Sequence, residues 1–350
     1  MASDRNAVGD VILAIETSCD DTCAAVVDDT GRIRSNVISS QGIHARYGGV
    51  VPEIAARQHL ELIAPVIDDA LARAGATLDD VRLVAATQGP GLVGALLVGF
   101  SAAKAIAAAR ELPLAPVDHI HGHLAAGLLR GDEAAPHEPL QLPYLALIAS
   151  GGHTLLAHVL SRGWGGARVR ILGQTLDDAA GEAFDKGARL LGLGYPGGAA
   201  LQALAERGDP EAFAFPTAAR MQGLDFSFAG LKTALLYRVR ELGPEQAQER
   251  AADLAAAYQA AIVEALMIRV RRAIAHTGIR RLALGGGVAA NGPLREAVAA
   301  LGVEVDIPPM ALCTDNAAMI ASAARDTPAL PFPDYLGLDV YATGESIAPA

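Results

Sequence analysis

The sequence predicts an α/β protein made of two similar domains. The chain has 350 residues, which is longer than one ordinary domain. Apolar residues make up 51% of it and supply a large core. A pattern of strand, polar turn, strand and later helices occurs twice, about 135 residues apart, which indicates an internal duplication.

Each copy of the pattern begins with two strands joined by a polar turn. In the first copy an apolar strand ends at Glu16, and a second strand begins at Ala24. A D-D-T-G turn then leads into R-I-R-S-N-V, a third strand. In the second copy a strand runs to Ser150, and the return strand begins at Thr154 after a Gly-Gly turn.

The helices follow the apolar spacing. Residues 52–74 repeat near 3.6 residues, and Gly75 ends that helix. Residues 92–110 are small and apolar, and a lysine among them favours a buried helix over a membrane span. Near the end of the chain, I-R-R-L-A-L predicts a strand, a helix begins at Pro293, and T-D-N-A-A-M-I-A-S-A-A-R predicts another helix.

The domain limits come from a change of composition. Residues 131–143 are polar and rich in proline, which is typical of a domain boundary. The predicted domains are therefore residues 8–135 and residues 140–330, and residues 331–350 form a C-terminal tail.

Charge and cysteine content predict a cytoplasmic protein. The net charge of −11 argues against indiscriminate binding of nucleic acids. Three cysteines cannot all pair within the chain, so a reducing compartment is expected. The first ten residues are polar and do not resemble a signal peptide, and no membrane association is predicted.

Glycine-rich turns recur at the ends of predicted strands, at residues 89–94, 151–152, 197–198 and 285–287. Glycine lets backbone N–H groups approach a phosphate, and ligands of open α/β sheets bind beyond the carboxyl ends of the strands. Four such turns favour a phosphate or nucleotide cleft between the domains. The alternative is that these glycines serve turn geometry alone.

Two histidines, His119 and His123, stand four residues apart in V-D-H-I-H-G-H-L. Residues with this spacing share one face of a helix and can bind one transition metal. Ile120 stands where a zinc protease has its glutamate, so metal-dependent proteolysis is disfavoured. The alternative is a pair of histidines that cap or pack without metal. His121 faces another side of the helix, and Asp118 is either a partner of a ligand or a carboxylate at the helix start.

A set of motifs gives the chain a family resemblance. They are E-T-S-C-D-D-T, Q-G-P-G-L-V-G-A-L-L-V-G, D-H-I-H-G-H-L, S-G-G-H-T, D-D-A-A-G-E-A-F-D-K, G-Y-P-G-G, D-F-S-F-A-G-L-K-T, G-G-G-V-A-A-N and L-C-T-D-N-A-A-M-I-A. Together they span residues 11–321, and their order resembles that of the universal tRNA adenosine threonylcarbamoyltransferase family. The resemblance implies two actin-like domains, each with a mixed five-stranded sheet flanked by helices, and a cleft between them.

The resemblance also implies an activity and partners. The family transfers a threonylcarbamoyl group from threonylcarbamoyl-AMP to N6 of adenosine 37, in tRNAs that read codons beginning with A, and releases AMP. The implied partners are tRNA, an inactive paralogous actin-like subunit and a P-loop ATPase. The rival interpretations are a small-molecule kinase of the same fold and a non-catalytic scaffold subunit.

Metal ligands follow from the resemblance as well. It adds Asp315 to the histidine pair as a third ligand, for one divalent metal ion per subunit. Iron(II) is favoured by the resemblance, and zinc fits the same ligands.

The resemblance maps substrate contacts onto eight positions: Ile148, Ala149, Ser150, Gly151, Gly152, Asp185, Gly198 and Asn291. Asp185 is expected to accept hydrogen bonds from the ribose, Gly198 to allow approach of the adenine, and Asn291 to bind sugar or base. Glu16 is the candidate base for the attacking amine, with a structural carboxylate as the alternative. Residues 269–281 carry five arginines, either a phosphate-contacting patch for tRNA or a solvated helix face.

Overall fold

A computed structural model describes residues 11–129, 140–161 and 169–342. The predicted start of the first domain at residue 8, most of the boundary at 131–143 and the end of the tail lie outside these residues. The described chain forms two five-stranded sheets with helices packed on them.

The first sheet has the strand order β3-β2-β1-β4-β5. Its strands are β1 (Val11–Glu16), β2 (Asp21–Asp28), β3 (Ile33–Ser40), β4 (Val81–Gly89) and β5 (Leu114–Asp118). The first three are antiparallel, and β4 and β5 continue parallel to β1. Three helices accompany this sheet: α1 (Pro52–Ala74), α2 (Val93–Ala109) and α3 (His119–Ala125).

The second sheet repeats the first, with the order β8-β7-β6-β9-β10 and the same mixture of pairings. Its strands are β6 (Tyr144–Ala149), β7 (Thr154–Val159), β8 (Val169–Gln174), β9 (Arg281–Gly285) and β10 (Glu304–Asp306). The later helices are α4 (Ala180–Leu190), α5 (Gly198–Ala205), α6 (Ala229–Glu249), α7 (Ala251–Thr277), α8 (Gly292–Ala299) and α9 (Ala317–Ala324). This matching topology confirms the duplicated α/β arrangement that the sequence pattern predicts and the mixed five-stranded sheets that the resemblance implies.

Local signals placed most elements well. The helix predicted for residues 52–74 is α1, and Gly75 ends it with a φ of 64°. Strand β2 begins at Asp21, three residues before the predicted Ala24, because its polar first residues pair with the end of β3. Helix α8 begins one residue before Pro293, where the Asn291 side chain caps it.

Helix α7 is long and apolar enough to cross a membrane by length and composition alone. In the structure, however, 67% of its apolar window is buried inside the protein. It packs against α5, α6 and β6. Its apolar composition therefore reflects a place in the core of the second domain.

The C-terminal part of the described chain packs on the first domain. Helix α9 packs on α3, β1 and β2 of the first domain, although the predicted limits place it in the second. Beyond it, Leu330 pairs with Leu114 of β5, and Tyr335 is buried in the core of the first sheet. The chain returns to the first domain because the apolar face of that sheet is covered there.

Part of the arginine stretch at 269–281 is engaged within the protein. Arg269 is buried, and its guanidinium donates hydrogen bonds to the carbonyl oxygens of Thr217, Ala218 and Asp225. The guanidinium of Arg272 likewise donates to carbonyl oxygens of residues 219–223. Two of the five arginines therefore hold the loop before α6 and are not free to bind phosphate.

We predict that Arg269→Met lowers the free energy of unfolding by about 2–4 kcal/mol, because three carbonyl groups lose a charged donor. Urea denaturation followed by circular dichroism measures the change. Arg271→Met is the matched control, since Arg271 lies on the same helix, is half exposed and pairs with Glu264. It should cost less than about 1 kcal/mol. Equal losses of unfolding free energy in the two variants would contradict the structural role of Arg269.

Candidate metal and nucleotide cleft

Three side chains that could hold a metal ion converge between the two sheets. His119 and His123 lie on α3, which begins where β5 ends, and Asp315 directly precedes the cap of α9. Asp315 Oδ1 lies 3.6 Å from Nε2 of His119 and 3.3 Å from Nε2 of His123. One ligand atom from each residue lies within 4.8 Å of the others. Helical spacing predicted the pair, and the fold brings Asp315 to it.

The state of His123 indicates that this cluster fits a cation. Its ring is buried, its Nδ1 atom has no hydrogen-bond partner among the described residues, and its Nε2 atom has only the ion-pair contact of 3.3 Å with Asp315 Oδ1. An unsatisfied buried polar atom is costly, and such atoms in native proteins call for a partner. Two imidazoles and a carboxylate are ligands that iron(II) and zinc accept. The residues present therefore fit the metal that the resemblance implies.

Glu16 holds His119 from the side opposite Asp315. The Nδ1 atom of His119 lies 3.0 Å from Glu16 Oε2 and 3.2 Å from the hydroxyl of Ser18. Glu16 also accepts hydrogen bonds from the Thr87 hydroxyl and the Ser18 backbone N–H. A carboxylate on the second nitrogen of a metal-binding histidine sets its tautomer and orientation. The role of Glu16 as a base stays a prediction, while its contacts favour orientation of His119.

Glu16, His119 and Asp315 shift one another's pKa values. Burial opposes ionisation of Glu16, yet the charge and hydrogen bond of His119 leave its carboxyl pKa below the usual value. Burial likewise disfavours the charged imidazole of His119, but Glu16 and Asp315 raise its pKa to about 9. The pKa of Asp315 lies far below its usual range because both histidines outweigh the effect of burial. The cluster thus behaves as one electrostatic unit.

The cysteines near the cluster are not part of it. Burial raises the pKa of the Cys19 and Cys23 thiols well above the usual value, so both stay protonated. The Cys23 thiol donates to the backbone oxygen of Asp315 over 3.8 Å. Metals bind the thiolate form, so these protonated thiols are poor candidates for further ligands.

The predicted phosphate turn lies beside the histidines. Strand β6 ends at Ala149, and the next turn is closed by a hydrogen bond of 2.7 Å from Ser150 N to His153 O. Gly151 and Gly152 are exposed, with open space where a Cβ would stand. The ring centroids of His153 and His119 are 6.1 Å apart. A ligand held by this turn would therefore reach the metal cluster.

The other predicted contacts divide into open and occupied positions. Asp185 on α4 accepts a hydrogen bond of 2.7 Å from Gly197 N and so fixes the turn before α5. Burial raises its pKa. Gly198, the first residue of α5, faces open space. Ile148 and Ala149 are buried at the end of β6, directly before the turn, and their contact with substrate stays a prediction.

The side chain of Asn291 is engaged within the protein. Its side-chain amide donates to Gln202 and Gln259, and its Oδ1 accepts from Leu294 N to cap α8. Both amide hydrogens are therefore used inside the protein. The two glutamines accept these hydrogen bonds and Oδ1 caps the helix, and the predicted contact of Asn291 with sugar or base stays a prediction.

Sequence reasoning missed the residues that orient the site. Ser18 and Thr87 contact Glu16 from different parts of the chain, and Thr87 is 71 residues away. The E-T-S motif carries Ser18 but shows no partner for it. Only the parallel pairing of β1 with β4 brings Thr87 close.

Solved structures with a similar fold support the actin-like architecture. Component A of (R)-2-hydroxyglutaryl-CoA dehydratase from Acidaminococcus fermentans aligns with a TM-score of 0.55 at 16% identity, covering 91% of this chain and 98% of that one. HypF of T. kodakarensis aligns with a TM-score of 0.58 at 14% identity, covering 90% of this chain and 47% of that one. At these identities the likeness concerns the fold alone.

The sequence comparison settles the family. A family model described as TsaD, tRNA N6-adenosine threonylcarbamoyltransferase, matches residues 32–322. The chain belongs to this family. A relative of that name from Pelobacter propionicus is 51% identical over 339 residues, which cover 95% of this chain and 96% of the relative. One from Anaeromyxobacter dehalogenans is 54% identical over 319 residues, covering 89% and 92%.

Family membership confirms the predicted activity. The chain is an acyltransferase that acts on tRNA and transfers a threonylcarbamoyl group to N6 of an adenosine. The interpretations as a small-molecule kinase or a scaffold are not favoured.

We predict that Gly181→Ala slows threonylcarbamoyl transfer about 10- to 100-fold, because its Cβ would displace the phosphate turn. That atom would lie 2.6 Å from Ser150 O and 2.8 Å from Gly151 Cα. Rates of modified-nucleoside formation, measured by liquid chromatography, test this. The control is Gly230→Ala, also at the second position of a helix but with open space around its Cβ. Equal rates in the two variants would contradict the role of the turn.

Proposed function

We propose that the cleft binds threonylcarbamoyl-AMP across the metal cluster and the glycine turn. The acceptor in this proposal is N6 of adenosine 37, in tRNAs that read codons beginning with A. One observation carries the proposal: the turn at 150–153 and the cluster of His119, His123 and Asp315 lie side by side, with 6.1 Å between the rings of His119 and His153. An acyl-adenylate has a phosphate for the first and carbonyl oxygens for the second.

In the proposed site one divalent metal, iron(II) or zinc, is held by His119, His123 and Asp315. When bound, such an ion supplies a Lewis acid that can polarise the acyl carbonyl or anchor the threonyl group. The Nδ1 atom of His119 donates a hydrogen bond to Glu16. This bond orients the ring so that its Nε2 atom faces Asp315.

In this proposal the glycine turn binds the phosphate of the leaving group, AMP. N6 of the adenosine forms a bond to the carbamoyl carbon, the bond from that carbon to the phosphate oxygen breaks, and AMP leaves with the electron pair. N6 loses one proton in the step. The exposed Gly151 and Gly152 permit close approach of the phosphate, on which the charge of the leaving group rests. Gly198 leaves room for the nucleoside, and Asp185 holds the turn beside it.

Partners complete the proposal: tRNA, a paralogous inactive actin-like subunit and a P-loop ATPase, all in the cytoplasm. The first domain has exposed apolar side chains on α1 and α2, at Leu60, Val93 and Leu97, which suit a paired subunit. The chain carries a net charge of −11, and Arg269 and Arg272 are engaged within the protein. Both facts support a shared surface for tRNA rather than a basic face on this chain alone.

We predict that His119→Ala and Asp315→Ala reduce transfer by about 1,000-fold or more, because each removes a ligand of the proposed metal. The thermal midpoint of the metal-free protein should stay within a few degrees. His121→Gln is the matched control, since His121 lies on the same short helix outside the cluster. Normal modification of adenosine 37 by His119→Ala or Asp315→Ala would contradict the proposed metal site.

Removal of the metal gives an independent test. The chain is combined with threonylcarbamoyl-AMP, tRNA and the two partner proteins, with and without a chelator. We expect modified nucleoside and AMP only without the chelator, and recovery when iron(II) or zinc is added back. Transfer that persists after complete removal of metal would contradict the proposed site. ADP formed from ATP and a small acceptor by this chain alone would instead indicate a kinase.

A further inference from the structure

The last described residues of the chain form a strap across the first domain. In this C-terminal strap, residues 330–341, Leu330 exchanges backbone hydrogen bonds of 2.8 and 3.0 Å with Leu114. The side chain of Lys104 donates to Leu338 O at 2.9 Å, and that of Gln88 donates to Asp339 O at 2.7 Å. The strap therefore follows a defined path from β5 to the end of β4.

Tyr341, at the end of the strap, contacts the start of α3, the helix that carries His119 and His123. Its backbone N–H donates to Gln88 O at 3.1 Å, and its hydroxyl donates to Asp118 Oδ2 at 2.6 Å. It lies directly on Gly89, where a Cβ would come within 2.5 Å of Tyr341 O and 2.8 Å of the ring. The missing side chain at position 89 thus makes room for the tyrosine.

Asp118 connects the tyrosine to the ligands. It is the last residue of β5 and the N-cap of α3, and its Oδ1 accepts from the backbone N–H of Ile120 at 2.8 Å and of His121 at 3.2 Å. Its other oxygen accepts from Tyr341. Helix α3 has only seven residues, so its first turn depends strongly on its cap.

We infer that Tyr341 is a positioning residue for the metal site and acts through Asp118. Its hydroxyl holds the carboxylate that caps α3, and the capped turn sets the direction of His119 and His123. The C-terminal strap thereby supports the geometry of the proposed metal site through Asp118. This inference rests on the proposed metal site.

The test measures zinc affinity of the metal-free full-length protein, by competition with a chromogenic chelator. Tyr341→Phe should weaken zinc binding about 3- to 10-fold, because the cap loses one charged hydrogen bond. Tyr335→Phe is the matched control in the same strap, since the Tyr335 hydroxyl is buried with no partner in the described part of the chain. Its zinc affinity should equal that of the wild type.

A double variant separates positioning through Asp118 from general loosening of the strap. Asp118→Ala should itself weaken zinc binding, and Tyr341→Phe should add nothing in that background. An equal further loss in the double variant, or wild-type affinity in Tyr341→Phe, would overturn the inference and leave the metal site standing. If the wild type itself fails to bind zinc, the metal site and the inference both fall. Thermal midpoints of all variants confirm that each is folded.

Discussion

The packing of α9 on the first sheet is the contact on which the cleft depends. All eight residues of the helix are buried, and most are alanine, so its backbone comes close to β1, β2 and α3. Ser322 adds a hydrogen bond of 2.8 Å to Ala125 O of α3. Asp315 precedes this helix by two residues, and its place beside the histidines follows from the same contact. The apolar cluster that includes α9 also contains side chains of the second sheet.

Several carboxylates lie close together around His119, near the contact of α9 with the first sheet. Burial, together with the neighbouring carboxylates Asp315, Asp20 and Glu16, raises the pKa of Asp21 to about 6. Buried charges of one sign are costly unless a cation or a donor offsets them. His119 offsets part of this charge, and the proposed divalent metal would offset more. These electrostatics would therefore favour the binding of a divalent cation at His119, His123 and Asp315.

The glycine turns show how one sequence signal covers two physical purposes. Gly151, Gly152 and Gly198 face open space, as a ligand cradle requires. Gly89 and Gly286 instead leave room for neighbouring backbone, at Tyr341 and at Ala149. Nothing in the local sequence separates the two kinds, because a turn needs glycine in either case. What lies above the missing side chain is decided by distant parts of the chain.

The sequence by itself determined the elements and the pairing of His119 with His123, because both depend on periodicity within a few residues. It also carried the duplication and, through its motifs, the family. Only the tertiary structure decided that Glu16 orients His119 and that Tyr341 reaches Asp118. It also decided that the side-chain amide of Asn291 donates to two glutamines within the protein. These contacts join residues up to 223 positions apart. They form where apolar faces pack, and no local spacing encodes which polar groups that packing brings together.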